Sequence, residues 1–160
     1  MTTEQIRGYY KVDDQVITGG QPTEGQLRSA AEDGVQVVIN LATFDPNSSL
    51  SDEGGLVRSL GLEYYPIPVA WDRPTEADFV KFANVLSEIG SKKVLIHCAA
   101  NYRVTAFYSL YAMQHLGWSE AQADALRAVI WRKPYPIWED FIRQMKQAIG
   151  HDEGTHEQLP

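Results

Sequence analysis

Val94-Leu95-Ile96-His97-Cys98-Ala99-Ala100-Asn101-Tyr102-Arg103 joins a buried-strand run to the start of a helical pattern through a tight loop of small residues. Lys93 to His97 reads as the strand that delivers Cys98, the only cysteine in the chain. Backbone N–H groups at a helix N-terminus bind anions and lower the pKa of a nearby thiol. The arrangement therefore suits a thiolate nucleophile under a phosphate cradle, with Ala99, Ala100, Asn101 and Tyr102 supplying loop backbone and Arg103 a side chain. A free cysteine at a strand end is ordinarily a core residue. The strand–loop–helix setting, with Arg103 behind it, favours the reactive thiol. Arg103 reads either as a surface ion-pair partner or as a phosphate ligand. Its guanidinium fork matches two equatorial phosphate oxygens and stays charged at any relevant pH, which favours the second. His97 reads as structural, bonding backbone with one ring nitrogen and shaping the loop. The loop contains no glycine, and Asn101 is the residue able to take the left-handed conformation such a turn requires.

Outward from this stretch, strands alternate with helices. Tyr9 to Val12 and Val16 to Thr18 read as short strands around the Asp13-Asp14 turn. Thr23 and Gln26 form a capping box for a helix ending near Asp33. Val35 to Leu41 is a buried strand, and a polar loop runs from Ala42 to Ser51. A short helix spans about Asp52 to Leu60, followed by a strand from Leu62 to Ile67. Pro68 to Pro74 is a proline-rich loop carrying Trp71 and Asp72. Thr75 caps a helix to about Ile89, with Phe79, Phe82, Val85, Leu86 and Ile89 on one face. Arg103 to Leu116, Ser119 to Ile130 and Ile137 to Ile149 complete the helices. The pattern predicts an α/β fold, a mostly parallel central sheet flanked by helices. Ligands of such sheets bind at the carboxyl ends of strands, where Cys98 lies. Residues 1–150 read as one domain, with a polar, disordered tail over 151–160.

The 160 residues carry a net charge of −7, which argues against nucleic acid as a partner because phosphate backbones need a basic face. A lone cysteine excludes an internal disulfide and a cysteine-rich metal site, and no stretch is long enough to span a bilayer. Met1-Thr2-Thr3-Glu4-Gln5 lacks the basic and apolar regions of a secretory signal, so the cytoplasm is the expected compartment. Arg127, Arg132 and Lys133 read as a solvated basic cluster. Trp118, Trp131 and Trp138 read as packing residues.

Asp72 is the candidate general acid. Departure of an alkoxide or phenoxide needs a proton donor on the leaving-group side, and a carboxyl on a mobile loop supplies one. Thr75 fills the helix-capping position, which leaves Asp72 free; Glu76 and Asp78 are the alternatives. Asn40, at the end of Val-Ile-Asn-Leu, and Gln21, after Gly19-Gly20, are amides placed to brace the active-site loops or to make turns.

The His97-to-Arg103 stretch resembles the signature loop of the cysteine-dependent protein tyrosine phosphatases, His-Cys-x5-Arg-(Ser/Thr), shortened to His-Cys-x4-Arg. The order Gly-Gly-Gln-Pro-Thr, Val-Ile-Asn-Leu, Tyr-Tyr-Pro-Ile-Pro and Ile-His-Cys-x4-Arg is similar to a bacterial group of phosphatase-like proteins related to the dual-specificity phosphatases. The resemblance covers about Tyr9 to Ile149. It implies a cofactor-free and metal-free two-step hydrolysis of phosphate monoesters, of the phosphotyrosine or aryl phosphate class. The substrate is then a phosphorylated small molecule or a phosphoprotein, with no nucleic acid or membrane partner. It also implies that Cys98 is the nucleophile, Arg103 the phosphate ligand and Asp72 the acid. Counted from Cys98, Thr105 stands where the family's loop hydroxyl stands, while Arg103 comes one place early. One residue turns a helical side chain by about 100°, so either the loop tightens and Arg103 still reaches the phosphate, or it points elsewhere. A six-residue loop opened by cysteine and closed by arginine also fits a rhodanese-like sulfurtransferase. A phosphate-binding pseudo-phosphatase is the third reading. An arsenate-reductase-like role would want a second redox cysteine, and the chain has none.

Overall fold

Val37–Asn40 (β3) and Val94–His97 (β5) pair in parallel at the centre of a five-stranded sheet. The computed structural model describes residues 2–157. Val16–Gly19 (β2) lies parallel on the other side of β5, and Glu63–Pro66 (β4) parallel on the outside of β3. Tyr10–Lys11 (β1) closes the edge antiparallel to β2, giving the order β1-β2-β5-β3-β4. The α/β fold with a mostly parallel sheet is therefore the one the alternation of elements predicts.

Side chains of a strand alternate between faces, and the central strands bury both. Val37, Ile39, Val94, Ile96 and Cys98 belong to one core, while Ile17, Val38 and Leu95 belong to the other. Glu24–Glu32 (α1) and Glu53–Ser59 (α2) cover the second face through Leu27, Ala30 and Val57. The first face carries Glu76–Ile89 (α3), Tyr102–His115 (α4), Glu120–Ile130 (α5) and Pro136–Glu157 (α6). Local sequence sets the starts of these helices. Thr23 with Gln26 and Ser119 with Gln122 make reciprocal capping boxes, and Thr75 accepts from the N–H of Asp78.

Every residue from Arg103 to Leu110 is buried, so α4 runs through the interior and its N-terminus is held from all sides. The last helix begins at Pro136 and continues to Glu157, beyond the Ile149 end expected from the apolar pattern. Extending a formed helix needs only one residue fixed per added hydrogen bond, so the backbone carries on into polar sequence. The expectation for 158–160 lies outside the described residues. Among the described residues no helix is long and apolar enough to cross a membrane.

Candidate active site

Three parallel strands end side by side beneath α4. The register places Gly19 of β2 and Asn40 of β3 on either side of His97, and Cys98 follows at the strand's carboxyl end. The next residues turn sharply. Asn101 has φ 69° and ψ 10°, and is the only described residue other than glycine with positive φ. Its side-chain amide holds the turn by donating to the Gly8 carbonyl at 2.8 Å and the Thr18 hydroxyl at 2.9 Å. Gly20 faces Ala100 across an isolated bridge, and a Cβ there would lie 2.5 Å from the Ala99 carbonyl oxygen. Only glycine permits this approach.

Helix α4 starts at Tyr102, so the N–H groups of Tyr102, Arg103 and Val104 have no partner within the helix. Tyr102 and Arg103 line a cavity of about 260 Å³ together with Trp71, Cys98, Ala99 and Ala100. Cys98 is 1% exposed and Arg103 7%. Despite the shortened spacing, Arg103 faces the same small space as the thiol. One guanidinium nitrogen donates to the Val69 carbonyl at 2.9 Å, and no carboxylate pairs with it among the described residues. A buried cation with a single neutral partner is costly, and an anion in the cavity would relieve that cost.

Thr105 does not line this cavity. Its hydroxyl lies 2.8 Å from the Asn101 carbonyl and accepts the indole N–H of Trp131 at 3.0 Å. It thus ties the left-handed loop residue to α4 and to the segment after α5. Asp72 is exposed and absent from the cavity lining, but Trp71 beside it forms one wall. The loop is pinned where the indole N–H of Trp138 donates to the Trp71 carbonyl at 2.8 Å. Glu76 lines a separate cavity among α3, α4 and α6 that contains no residue of the 98–103 loop. Asp78 sits half-buried in the first turn of α3.

The aromatic residues do more than fill the core. Tyr102 stacks on Trp131 at a centroid distance of 4.9 Å, and Trp71 lies 6.0 Å from both rings. Trp131 therefore backs the two aromatic walls of the cavity, whereas Trp118 and Trp138 pack as expected. The basic cluster departs from the solvated face expected of it at one position. Arg127 is largely buried, pairs with Asp124 and donates to Ser109 at 2.7 Å, and burial pulls its pKa down.

One charged residue under the loop has no counterpart in the sequence-based reading. Glu53, 6% exposed at the first position of α2, lies 2.6 Å from Nε2 of the fully buried His97. Gln21 donates to its other oxygen at 2.8 Å, and Asn40 donates to Oε2 at 3.3 Å and to the Tyr64 hydroxyl at 3.0 Å. Nδ1 of His97 faces the Cys98 carbonyl at 3.3 Å. Both bracing amides thus converge on a carboxylate. Nothing local marks it, because a glutamate in the first turn of a helix is an ordinary dipole-favoured residue.

Burial alone would raise the Glu53 carboxyl pKa. The hydrogen bond and charge of His97, with bonds from Gln21 and Tyr64, override it and hold the group below its usual value. Burial, with the Glu53 charge nearby, pushes the Tyr64 hydroxyl up to about 12. A depressed carboxyl stabilises the fold above the unfolded glutamate pKa, about 4.3, and that contribution is lost as pH falls through the folded value. Thermal melts should therefore show the wild-type protein losing more stability than Glu53→Gln between pH 6 and pH 3. Equal losses would contradict this account of Glu53.

The chain matches no family model and no curated protein sequence. Among solved structures it is similar to a "putative phosphatase (DUF442)" from Shewanella putrefaciens CN-32. Identity there is 33%, the TM-score 0.80, and the match covers 89% of this chain and 91% of that one. The core catalytic domain of the PP-IP phosphatase SIW14 from S. cerevisiae matches at 14% identity with a TM-score of 0.73, over 97% and 96% of the two chains. TpbA of P. aeruginosa, solved in complex with pTyr, matches at 14% identity and 0.70, over 89% and 90%. The last two share the fold. With the first relative spanned almost end to end at one-third identity, this chain belongs to the DUF442 family of protein tyrosine phosphatase-like proteins.

Proposed function

We propose that the protein is a cysteine-dependent phosphatase that hydrolyses phosphate monoesters of the aryl or phosphotyrosine class through a cysteinyl phosphate. The observation that carries this reading is the buried Arg103 guanidinium, unpaired with any described carboxylate, lining the same 260 Å³ cavity as Cys98. The cavity falls below the roughly 300–1,000 Å³ that encloses a whole drug-sized ligand. It admits a phosphoryl head and leaves the rest of the substrate outside. Trp71 and Tyr102 at its walls suit an aromatic leaving group. Fold relatives solved with pTyr or named for PP-IP substrates agree with a phosphorylated small molecule or phosphoprotein as the substrate.

The steps follow from the chain's own groups. The Cys98 sulfur attacks phosphorus in line, forming the P–S bond while the ester P–O bond breaks. The equatorial oxygens rest on the loop N–H groups and the Arg103 fork, which replace the charge stabilisation a metal would supply elsewhere. The leaving oxygen takes the electron pair of the broken bond and a proton from Asp72. Water then attacks the cysteinyl phosphate and gives its proton to the Asp72 carboxylate. The P–S bond breaks, phosphate leaves and the thiolate is restored. His97 and Asn40 brace the loop from below, and Thr105 braces it through the Asn101 carbonyl.

Asp72→Asn should slow hydrolysis of alkyl phosphates and phosphotyrosine by about 10²–10⁴-fold, the usual contribution of a general acid. Esters of acidic phenols should suffer far less, because they leave without a proton. Rates measured across a leaving-group series test this. An equal loss for all of them would give Asp72 a structural role and move the search to Glu76 and Asp78.

A second reading, the rhodanese-like sulfurtransferase, is favoured by the four-residue gap between Cys98 and Arg103 and by a cavity lining without a carboxylate. Paired assays separate the two. Hydrolysis of p-nitrophenyl phosphate, insensitive to chelators, with no thiosulfate-to-cyanide sulfur transfer supports the phosphatase; the reverse result supports the sulfurtransferase. Neither activity, with vanadate still bound, would identify a phosphate-binding pseudo-enzyme.

A further inference from the structure

Glu53 lies 44 positions before His97 in sequence and 2.6 Å from its ring. His97 is fully buried, and its other nitrogen faces the carbonyl oxygen of Cys98 itself. A carboxylate, an imidazole and the nucleophile's own peptide group therefore form one chain of contacts running from α2 into the loop. Both ring nitrogens face acceptors, and the ring form that donates to both is the protonated one. We propose that Glu53 is the positioning residue of the Cys98 thiolate: through His97 it fixes the Cys98 peptide, and its carboxylate favours the ring form that donates to both neighbours.

The surroundings fit this role. Gln21, from the turn after β2, and Asn40, at the end of β3, each give the carboxylate a hydrogen bond, so both neighbouring strand ends are tied to it. Glu53 also lines a second cavity of about 320 Å³, with Asn40, Asp52 and Tyr64, whose lining contains neither Cys98 nor Arg103. The ionisable groups around it are Tyr64 from β4, and Asp52 and Arg58 from the two ends of α2, with Arg58 5.5 Å from the Tyr64 ring. On the thiol side they are Arg103 and Tyr102 from α4. Arg103 lines the cavity together with Cys98, whereas the Glu53–His97 pair meets the nucleophile at its peptide carbonyl and lies outside that lining. A carboxylate that served packing alone would need neither the buried imidazole nor two amide donors.

The inference rests on Cys98 being a reactive thiol, and it holds whichever group that thiol accepts. The test therefore reads the thiol directly. Because Cys98 is the only cysteine, the ultraviolet absorbance of the thiolate, taken as a difference from Cys98→Ser, follows one group across pH. Glu53→Gln keeps the shape and a hydrogen-bond acceptor but removes the charge that holds the imidazolium. It should move the pH at which the thiolate appears upward by about one unit, a tenfold loss of thiolate at a fixed pH below it. Gln21→Ala, which removes one donor and leaves the pair in place, should move it in the same direction by less. A folded Glu53→Gln whose titration coincides with wild type would overturn the proposal. If that variant does not fold, an unmoved Gln21→Ala titration overturns it instead. A wild-type thiolate that appears only near the free-thiol value of about 8.5 is a different failure, because it would refute the reading of Cys98 as a resting nucleophile.

Discussion

Cys98→Ser is expected to abolish hydrolysis of p-nitrophenyl phosphate, by roughly the 10⁶-fold that loss of a covalent nucleophile costs in a hydrolase where it has been measured. The serine hydroxyl is nearly the size of the thiol, but at neutral pH it stays protonated and attacks phosphorus poorly. Cys98 is 1% exposed and packs in the same core cluster as Ile96 and Val104, so the change leaves the walls of the cavity in place. Phosphate and vanadate binding should survive, although vanadate loses its covalent bond to sulfur. Steady-state rates and equilibrium binding of inorganic phosphate check the two halves separately. Retained turnover in the folded variant would remove the thiolate mechanism altogether.

Arg103→Ala is the second large effect. The guanidinium is oriented by the Val69 carbonyl and lines the Cys98 cavity, and in the proposed mechanism it meets the equatorial oxygens in both ground and transition states. kcat/KM should fall by about 10²–10³-fold, as when one preorganised donor is lost from an anion hole, and phosphate affinity should fall with it. Arg103→Lys should recover little, because an ammonium is a point charge without the paired N–H bonds of the fork. The melting temperature should not fall in proportion to activity. The side chain is a buried cation with no described carboxylate partner, and its removal relieves a desolvation cost while opening a void. Unchanged turnover and binding in the alanine variant would mean that Arg103 serves the loop and not the substrate.

The strand–loop–helix setting of these two residues was legible in sequence because its signals are local. An apolar strand, small residues and a helical pattern follow one another from Val94 to Arg103, and the turn between them needs a residue tolerant of positive φ. Asn101 meets that need at φ 69°. What sequence left open was the direction of Arg103, since a four-residue gap is compatible with a tightened loop or a rotated side chain. The sharp turn at Ala100 and Asn101, braced against Gly8, Thr18 and Gly20, resolves it by bringing the start of α4 close to Cys98.

Glu53 was invisible for the opposite reason. Its partner is 44 residues away, and the contact exists only because α2 covers the sheet face beneath the ends of β2, β5 and β3. Trp131 is similar: half-buried tryptophans in a helical region usually pack, and its stacking on Tyr102 depends on how the segment after α5 returns past the loop. Thr105 shows the limit of counting along a motif. Its offset from Cys98 matches the family's hydroxyl position, yet on α4 that offset turns its hydroxyl towards the Asn101 carbonyl and the Trp131 indole. A hydroxyl at that position therefore acts on loop geometry.

The claim that Cys98 carries the phosphoryl group is tested most directly by trapping it. The wild-type protein, mixed with excess p-nitrophenyl phosphate and quenched in acid during turnover, should gain the mass of one phosphoryl group, located by peptide mapping to Cys98. Asp72→Asn, slowed in the hydrolysis of that intermediate, should accumulate more of it. The account predicts this adduct in both proteins and its absence in Cys98→Ser. Turnover of the ester with no covalent phosphate on Cys98 at any quench time, in either protein, would contradict it.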